Sequence, residues 1–261
     1  MVFAQIPKTV GFIYALVMII VIGYLWYSGR WRQKIGWLLL IISAGLGFLI
    51  FSPVAPWQFQ QLVLRDEQGL GAPLIVGVIG LSIVFLLTLI FGRFFCGYLC
   101  PVGTVQEIAY HAPVPKVTPR QKNMFVLIRA AFFIVFLLMA FLLSASLLSW
   151  FGIRDFFYLL LTAGTVVFIV LLLLSTTFYR PFCRLICPYG VLLSLSSWKS
   201  MFKLQRTDAC IECKKCEKAC PTDEAKRDDG KAECYLCGRC TEVCPVAGAL
   251  MYKRRNADGK K

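Results

Sequence analysis

The sequence holds a single histidine, His111, among 261 residues. A haem b held between two histidines of one chain is thereby excluded. No C-x-x-C-H stretch occurs, so covalent haem c has no support. Charge is sparse: 16% of residues are Asp, Glu, Lys or Arg, and only 14 of them are acidic. There is no Gly-rich nucleotide loop and no flavin fingerprint, which argues against a complete enzyme in this chain alone. What the chain has in excess is apolar residues, 58% of the total, more than an ordinary soluble domain carries.

Those residues gather in five uncharged blocks, 10–27, 35–51, 73–91, 130–148 and 156–178. A helix crossing a bilayer needs about 20 such residues. The pattern predicts an α-helical polytopic membrane protein with five transmembrane helices. The first block lacks a small-residue cleavage site and runs into Arg30, Arg32 and Lys34, so it reads as an anchor rather than a signal peptide. The net charge is +14, which raises the question of nucleic acid. Placement answers it: before Trp198 the basic residues cluster at one set of helix ends, among them Arg93, Lys116, Arg120, Lys122, Arg129, Arg180 and Arg184. That is the positive-inside pattern of a prokaryotic inner membrane. It places the N-terminus outside and the C-terminus in the cytoplasm, and leaves no basic stripe for nucleic acid. The basic end MYKRRNADGKK reads as a solvated, lipid-facing tail.

Within the membrane part, FFCGYLCPVG (94–103) returns as PFCRLICPYG (181–190). Phe91, Arg93, Phe95, Cys96, Cys100, Pro101 and Gly103 match Phe178, Arg180, Phe182, Cys183, Cys187, Pro188 and Gly190 at a constant offset of 87. Residues 35–198 therefore form two copies of one helical hairpin, related by a pseudo-twofold axis along the membrane normal; residues 1–34 add an extra helix and a basic loop. A proline is tolerated at the first position of a helix, so a short helix is expected after each Cys-Pro, lying in the cytoplasmic interface. Cys96/Cys100 and Cys183/Cys187 are each i, i+4, a spacing that puts both thiols on one helical face. The axis would bring the two pairs together. Such a site could hold a further iron–sulfur centre, a soft ion such as Cu(I) or redox-active disulfides, whereas a lone pair could be mere buried small residues.

Residues 199–261 are polar and cysteine-dense. DACIECKKCEKACP and AECYLCGRCTEVCP are each C-x2-C-x2-C-x3-C-P. In this pattern three thiolates take three irons of a cube and the fourth reaches the other cube. Cys210, Cys213, Cys216 and Cys244 are assigned to one [4Fe–4S] cluster, and Cys234, Cys237, Cys240 and Cys220 to a second. The tail is expected to be a small α+β bacterial-type ferredoxin domain. Zinc favours two separated C-x2-C pairs, and disulfides need an oxidising compartment.

FCGYLCPVG, FCRLICPYG and the paired ferredoxin motifs together resemble the NapH/NosR/MauN group of membrane iron–sulfur proteins, and most of all the NapH-type subunit of quinol dehydrogenases. The resemblance covers about residues 35–250 and implies electron transfer between the quinone pool and a redox partner protein, within a complex. It departs in the extra first helix. A related group, the CcoG type, shares both motifs and implies copper reduction during oxidase assembly as the alternative. For quinone and proton exchange the candidates are Glu107, Tyr110 and His111, which follow the first Cys-Pro at the interface.

Overall fold

The computed structural model describes residues 8–118 and 121–255. Arg120 and residues 256–261, read above as cytoplasmic charge, lie outside the described residues. The chain is mostly helical: α1 Lys8–Tyr27, α2 Gln33–Ile50, α3 Ala55–Leu64, α4 Glu67–Leu70, α5 Leu74–Phe91, α6 Pro101–Tyr110, α7 Lys122–Leu143, α8 Ile153–Phe157, α9 Ala163–Thr177, α10 Pro188–Trp198, α11 Lys215–Ala219 and α12 Arg239–Glu242. Strands β1 Phe202–Arg206 and β2 Leu250–Arg254 pair antiparallel, with Leu204 opposite Tyr252.

Among the described residues, α1, α2, α5 and α7 are the four helices long and apolar enough to cross a membrane, which marks the chain as a membrane protein. The expected fifth is only 15 residues, α9. Its block breaks at Thr162, whose hydroxyl donates to Asp155 at 2.6 Å and accepts from the Thr165 amide at 3.2 Å, so a fresh helix starts there. The fourth helix begins at Lys122, eight residues before the block expected for it, because Arg129 does not interrupt it: the side chain is buried and ion-paired to Glu233 at 2.6 Å.

A loop and the helices expected at the interface turn inward. The loop between α2 and α5 folds back as α3, burying Trp57; Gln60 there accepts the Leu148 amide at 2.7 Å. The helices after Cys-Pro do not lie in the interface. A Cβ on Gly47 would fall 2.5 Å from Pro101 Cβ, so α6 starts deep beside α2. It runs back until His111 meets Trp37, ring centroids 4.4 Å apart. Gly47 and Trp37 are ten residues apart on α2, roughly 15 Å of helix. The second copy does the same: Tyr189 Oη donates to the Leu81 carbonyl at 2.6 Å, midway along α5. An interfacial helix keeps a polar face to water. In α6, Thr104, Gln106 and Glu107 are all buried and find protein partners, so no such face is left.

The cysteine-rich tail packs directly on the α1 and α5 ends. Met201 N donates to Leu89 O at 2.9 Å, Tyr252 Oη donates to Phe91 O at 2.7 Å, and the Tyr252 ring lies 5.5 Å from that of Phe94.

Candidate functional site

In the tail, two cavities are each lined by four cysteines. Cys210, Cys213, Cys216 and Cys244 line one; Cys220, Cys234, Cys237 and Cys240 line the other. These are the two sets the spacing assigned, including the exchange of the fourth cysteine. Left-handed backbone at Lys214 (φ 58°), Leu236 (φ 55°) and Gly238 (φ 83°) lets the short ligand loops double back. Burial pushes the Cys234 thiol up to about 12, so bound metal would have to displace its proton.

The four membrane-part cysteines also converge. Cys96, Cys100, Cys183 and Cys187 line one cavity with Ala55, Pro56, Arg93 and Tyr189. It lies within the bundle rather than at its end, since Cys100 and Cys187 immediately precede the deep starts of α6 and α10. The pairs do not share one helical face. Cys96 and Cys183 sit in π-helical turns, Phe95–Leu99 and Phe182–Ile186, while Cys100 and Cys187 take extended backbone ahead of the next helix. Gln106 Nε2 of one copy donates to Cys183 Sγ of the other at 3.4 Å, tying the repeats across the axis.

Two observations test what these cavities fit. Among the described residues, no three His, Cys, Asp or Glu side chains come close enough to hold a single metal ion. A cube of four irons spreads its thiolates further apart than one ion does. Second, each cavity is lined by an arginine with a buried N–H that has no partner: Arg93 (Nε and Nη2) in the bundle, Arg206 (Nε) in both tail cavities, and Arg239 (Nη1) in the second. Orphaned donors of this kind are costly, and an anionic thiolate-bound cluster would satisfy them. The residues present fit [4Fe–4S] groups.

The second tail cavity and the bundle cavity meet through one residue. Tyr235, next to Cys234, lies between Arg93 and Arg180, whose guanidinium carbons stand 4.5 and 4.8 Å from its ring centre. Its carbonyl oxygen presses on Gly97, where a Cβ would lie 2.5 Å away. Buried Glu233 accepts from Arg93 at 3.0 Å and Arg129 at 2.6 Å. Burial alone would raise its carboxyl, but the two guanidiniums hold it down at about 2.

Of the quinone candidates, Glu107 and His111 share a small cavity with Gln33, Trp37, Leu40, Tyr98 and Cys237. Glu107 is not a free proton acceptor: it takes Arg180 at 2.7 Å, Arg239, and the Tyr179 hydroxyl at 2.7 Å. Tyr110 faces elsewhere, its ring 5.0 Å from Tyr179 and beneath Lys116 Nζ at 4.6 Å. Sequence reasoning missed Glu233, Tyr235 and the role of Arg129. The repeat offset was the available signal, because it pairs Arg93 with Arg180 and so asks what each meets.

A 4Fe-4S binding domain family matches the chain twice, over residues 73–120 and 160–207, one match on each copy of the repeat. Protein MJ0750 of Methanocaldococcus jannaschii is 32% identical over 190 residues, 67% of this chain and 80% of the relative. Its neighbour in name, MJ0749 of the same organism, is 30% identical over 74% of this chain and 77% of its own length. The Escherichia coli K12 protein YccM, whose name points to electron transport, is 30% identical over 67% of this chain, which spans only 55% of YccM. No solved structure matches. With four-fifths of MJ0750 covered at that identity, the chain belongs to the same family of iron–sulfur proteins, marked by the 4Fe-4S binding domain in duplicate.

Proposed function

We propose that this protein carries electrons between the quinone pool of the cytoplasmic membrane and a redox partner protein, as the NapH-like membrane subunit of a quinol dehydrogenase complex. One observation carries the reading: three cavities are each lined by four cysteines and an arginine with an orphaned donor, the two in the tail sharing Arg206 and the second set against the bundle cavity by Tyr235 packed on Arg93. Three [4Fe–4S] groups held there would supply one-electron carriers. The chain's part is to fix their order. Exposed Cys213 opens the first tail cavity to a partner. Arg206 lines both tail cavities and joins them. Tyr235 and Gly97 bring the second tail cavity against the bundle cysteines. A quinone head group would sit beside Cys237, where Trp37 and Leu40 give apolar walls and the His111 imidazole lines the same cavity. The copper-handling alternative would place the ion at Cys96, Cys100, Cys183 and Cys187, which line the bundle cavity.

The test is to reduce the anaerobic protein with dithionite, remove the excess and add a menaquinone analogue while following iron–sulfur absorbance. Rapid recovery in the parent, slowed in His111→Ala and in Cys96→Ser/Cys183→Ser, is expected. Spectra that do not respond to quinone in any form would sink direct quinone chemistry by this chain.

A further inference from the structure

The two copies are not equal where they meet the tail. The offset of 87 that superimposes Arg93 on Arg180 also superimposes Glu107 on Ser194. Arg180, from the second copy, reaches across the axis to Glu107 of the first, Nε at 2.8 Å. The mirrored reach, Arg93 to position 194, meets only a serine hydroxyl at 3.0 Å. The carboxylate missing from the second copy comes from the tail. Glu233 Oε2 accepts from Arg93 Nη1 at 3.0 Å, and its Oε1 accepts from Ser194 Oγ at 2.7 Å and from Arg129 Nη2 at 2.6 Å. The first copy is bound the opposite way, its Glu107 taking Arg239 from the tail. Of these six charged side chains, all but Arg239 are buried.

We infer that position 194 is the docking key of this protein: serine in place of the repeat's glutamate leaves Arg93 and Arg129 a socket that, among the described residues, Glu233 of the tail fills. Glu233 and Ser194 are positioning residues. They select one of the two orientations that a pseudo-twofold bundle would otherwise offer, the one that turns Tyr235 and the second tail cavity toward Cys96 and Cys183. The value of that orientation for electron flow rests on the proposed function. The docking itself does not.

A carboxylate swap separates docking from simple charge balance. Ser194→Glu/Glu233→Ser keeps one carboxylate among Arg93, Arg129 and residue 194, because Ser194 Oγ already lies 2.7 Å from the Glu233 carboxylate. It removes the Glu233 link to the tail and leaves the Arg239–Glu107 and Lys122–Glu224 pairs in place. The full-length purified protein, with the exposed junction site removed by Lys199→Gln in parent and variant alike, is digested with trypsin, and tail release is timed by cleavage within β1 after Lys203, which is buried with its Nζ on the Trp198 and Gly230 carbonyls. Iron content and visible absorbance are measured alongside. Release from the swap variant is expected to be faster by on the order of tenfold, as for loss of a charge-assisted hydrogen bond between bundle and tail, with tail iron retained. Parent-like resistance in the swap variant would overturn the inference, since the arginines would then need only any carboxylate. If the swap variant does not accumulate, Glu233→Asp against Glu233→Gln decides: restored resistance in the aspartate form alone supports docking by charge, and equal release from both refutes it. No quinone enters this measurement, so its outcome stands apart from that of the electron-transfer assay.

Discussion

Replacing Cys100 and Cys187 by serine removes half of the thiols that line the bundle cavity and none from the tail. Three cavities of four cysteines each correspond to about twelve irons per chain, at four per cube. The double variant should hold about eight, with acid-labile sulfide falling in the same proportion. A stability change should accompany the loss. Arg93 carries two buried N–H donors without a protein partner, Nε and Nη2. Each orphaned donor costs about 1–3 kcal/mol, so an emptied cavity leaves the bundle about 2–6 kcal/mol less stable than a filled one. The assay is iron and sulfide per chain on anaerobically purified protein, with thermal unfolding of the same samples. About eight irons in parent and variant alike would refute the assignment of a four-iron group to the bundle, and the orphaned Arg93 donors would then need another acceptor. Twelve in both would show that iron does not depend on these thiols.

Gly97→Ala sets a Cβ 2.5 Å from the Tyr235 carbonyl oxygen; overpacking of this kind costs about 1–3 kcal/mol, and the tail should become measurably more sensitive to trypsin while iron content holds. Acid should act through Glu233, whose folded carboxyl sits at about 2 against about 4.3 for an unfolded glutamate. A depressed acid contributes stability that is fully present above the unfolded value and is lost as pH falls through the folded one. The resistance of the parent relative to Glu233→Gln should therefore be constant above about pH 4.5 and fade between there and about pH 2; a difference that persists unchanged at pH 2 would contradict the ion-pair account.

Spacing alone made much of this site legible. The partition of eight tail cysteines into two sets follows from C-x2-C-x2-C-x3-C-P, because a three-residue gap carries the fourth thiol out of reach of its own cube; the structure lines two cavities with those sets. Convergence of the other four thiols followed from the repeat. Depth did not. Hydropathy ranks residues by transfer from water, and after a block already long enough to span it leaves the apolar stretch Pro101–Tyr110 to the interface. It cannot register that Thr104, Gln106 and Glu107 each find a partner inside, which lets that helix turn back into the bundle. The same blindness shortened α7 in prospect: an arginine read as an interfacial anchor is a buried ion-pair partner when the acid lies 104 positions away.

The differences between the two copies carry as much as their agreement. Arg93/Arg180, Cys96/Cys183, Cys100/Cys187, Pro101/Pro188 and Gly103/Gly190 agree, and the cavity is built from them and their symmetric placement. A site made only of matched residues would face the tail identically either way round. Position 92/179 removes that ambiguity as position 107/194 does. In the first copy it is Gly92, at φ +79°, where even a Cβ would touch Leu236 of the tail at 3.4 Å. In the second it is Tyr179, which fills the corresponding place, donates to Glu107 at 2.7 Å and lines the second tail cavity. The first copy clears room for the tail, each copy lends one arginine to the Glu233 socket, and the second supplies an aromatic wall. Duplication accounts for four thiols at one point, and the substitutions since then account for a tail that meets them from one side in one orientation.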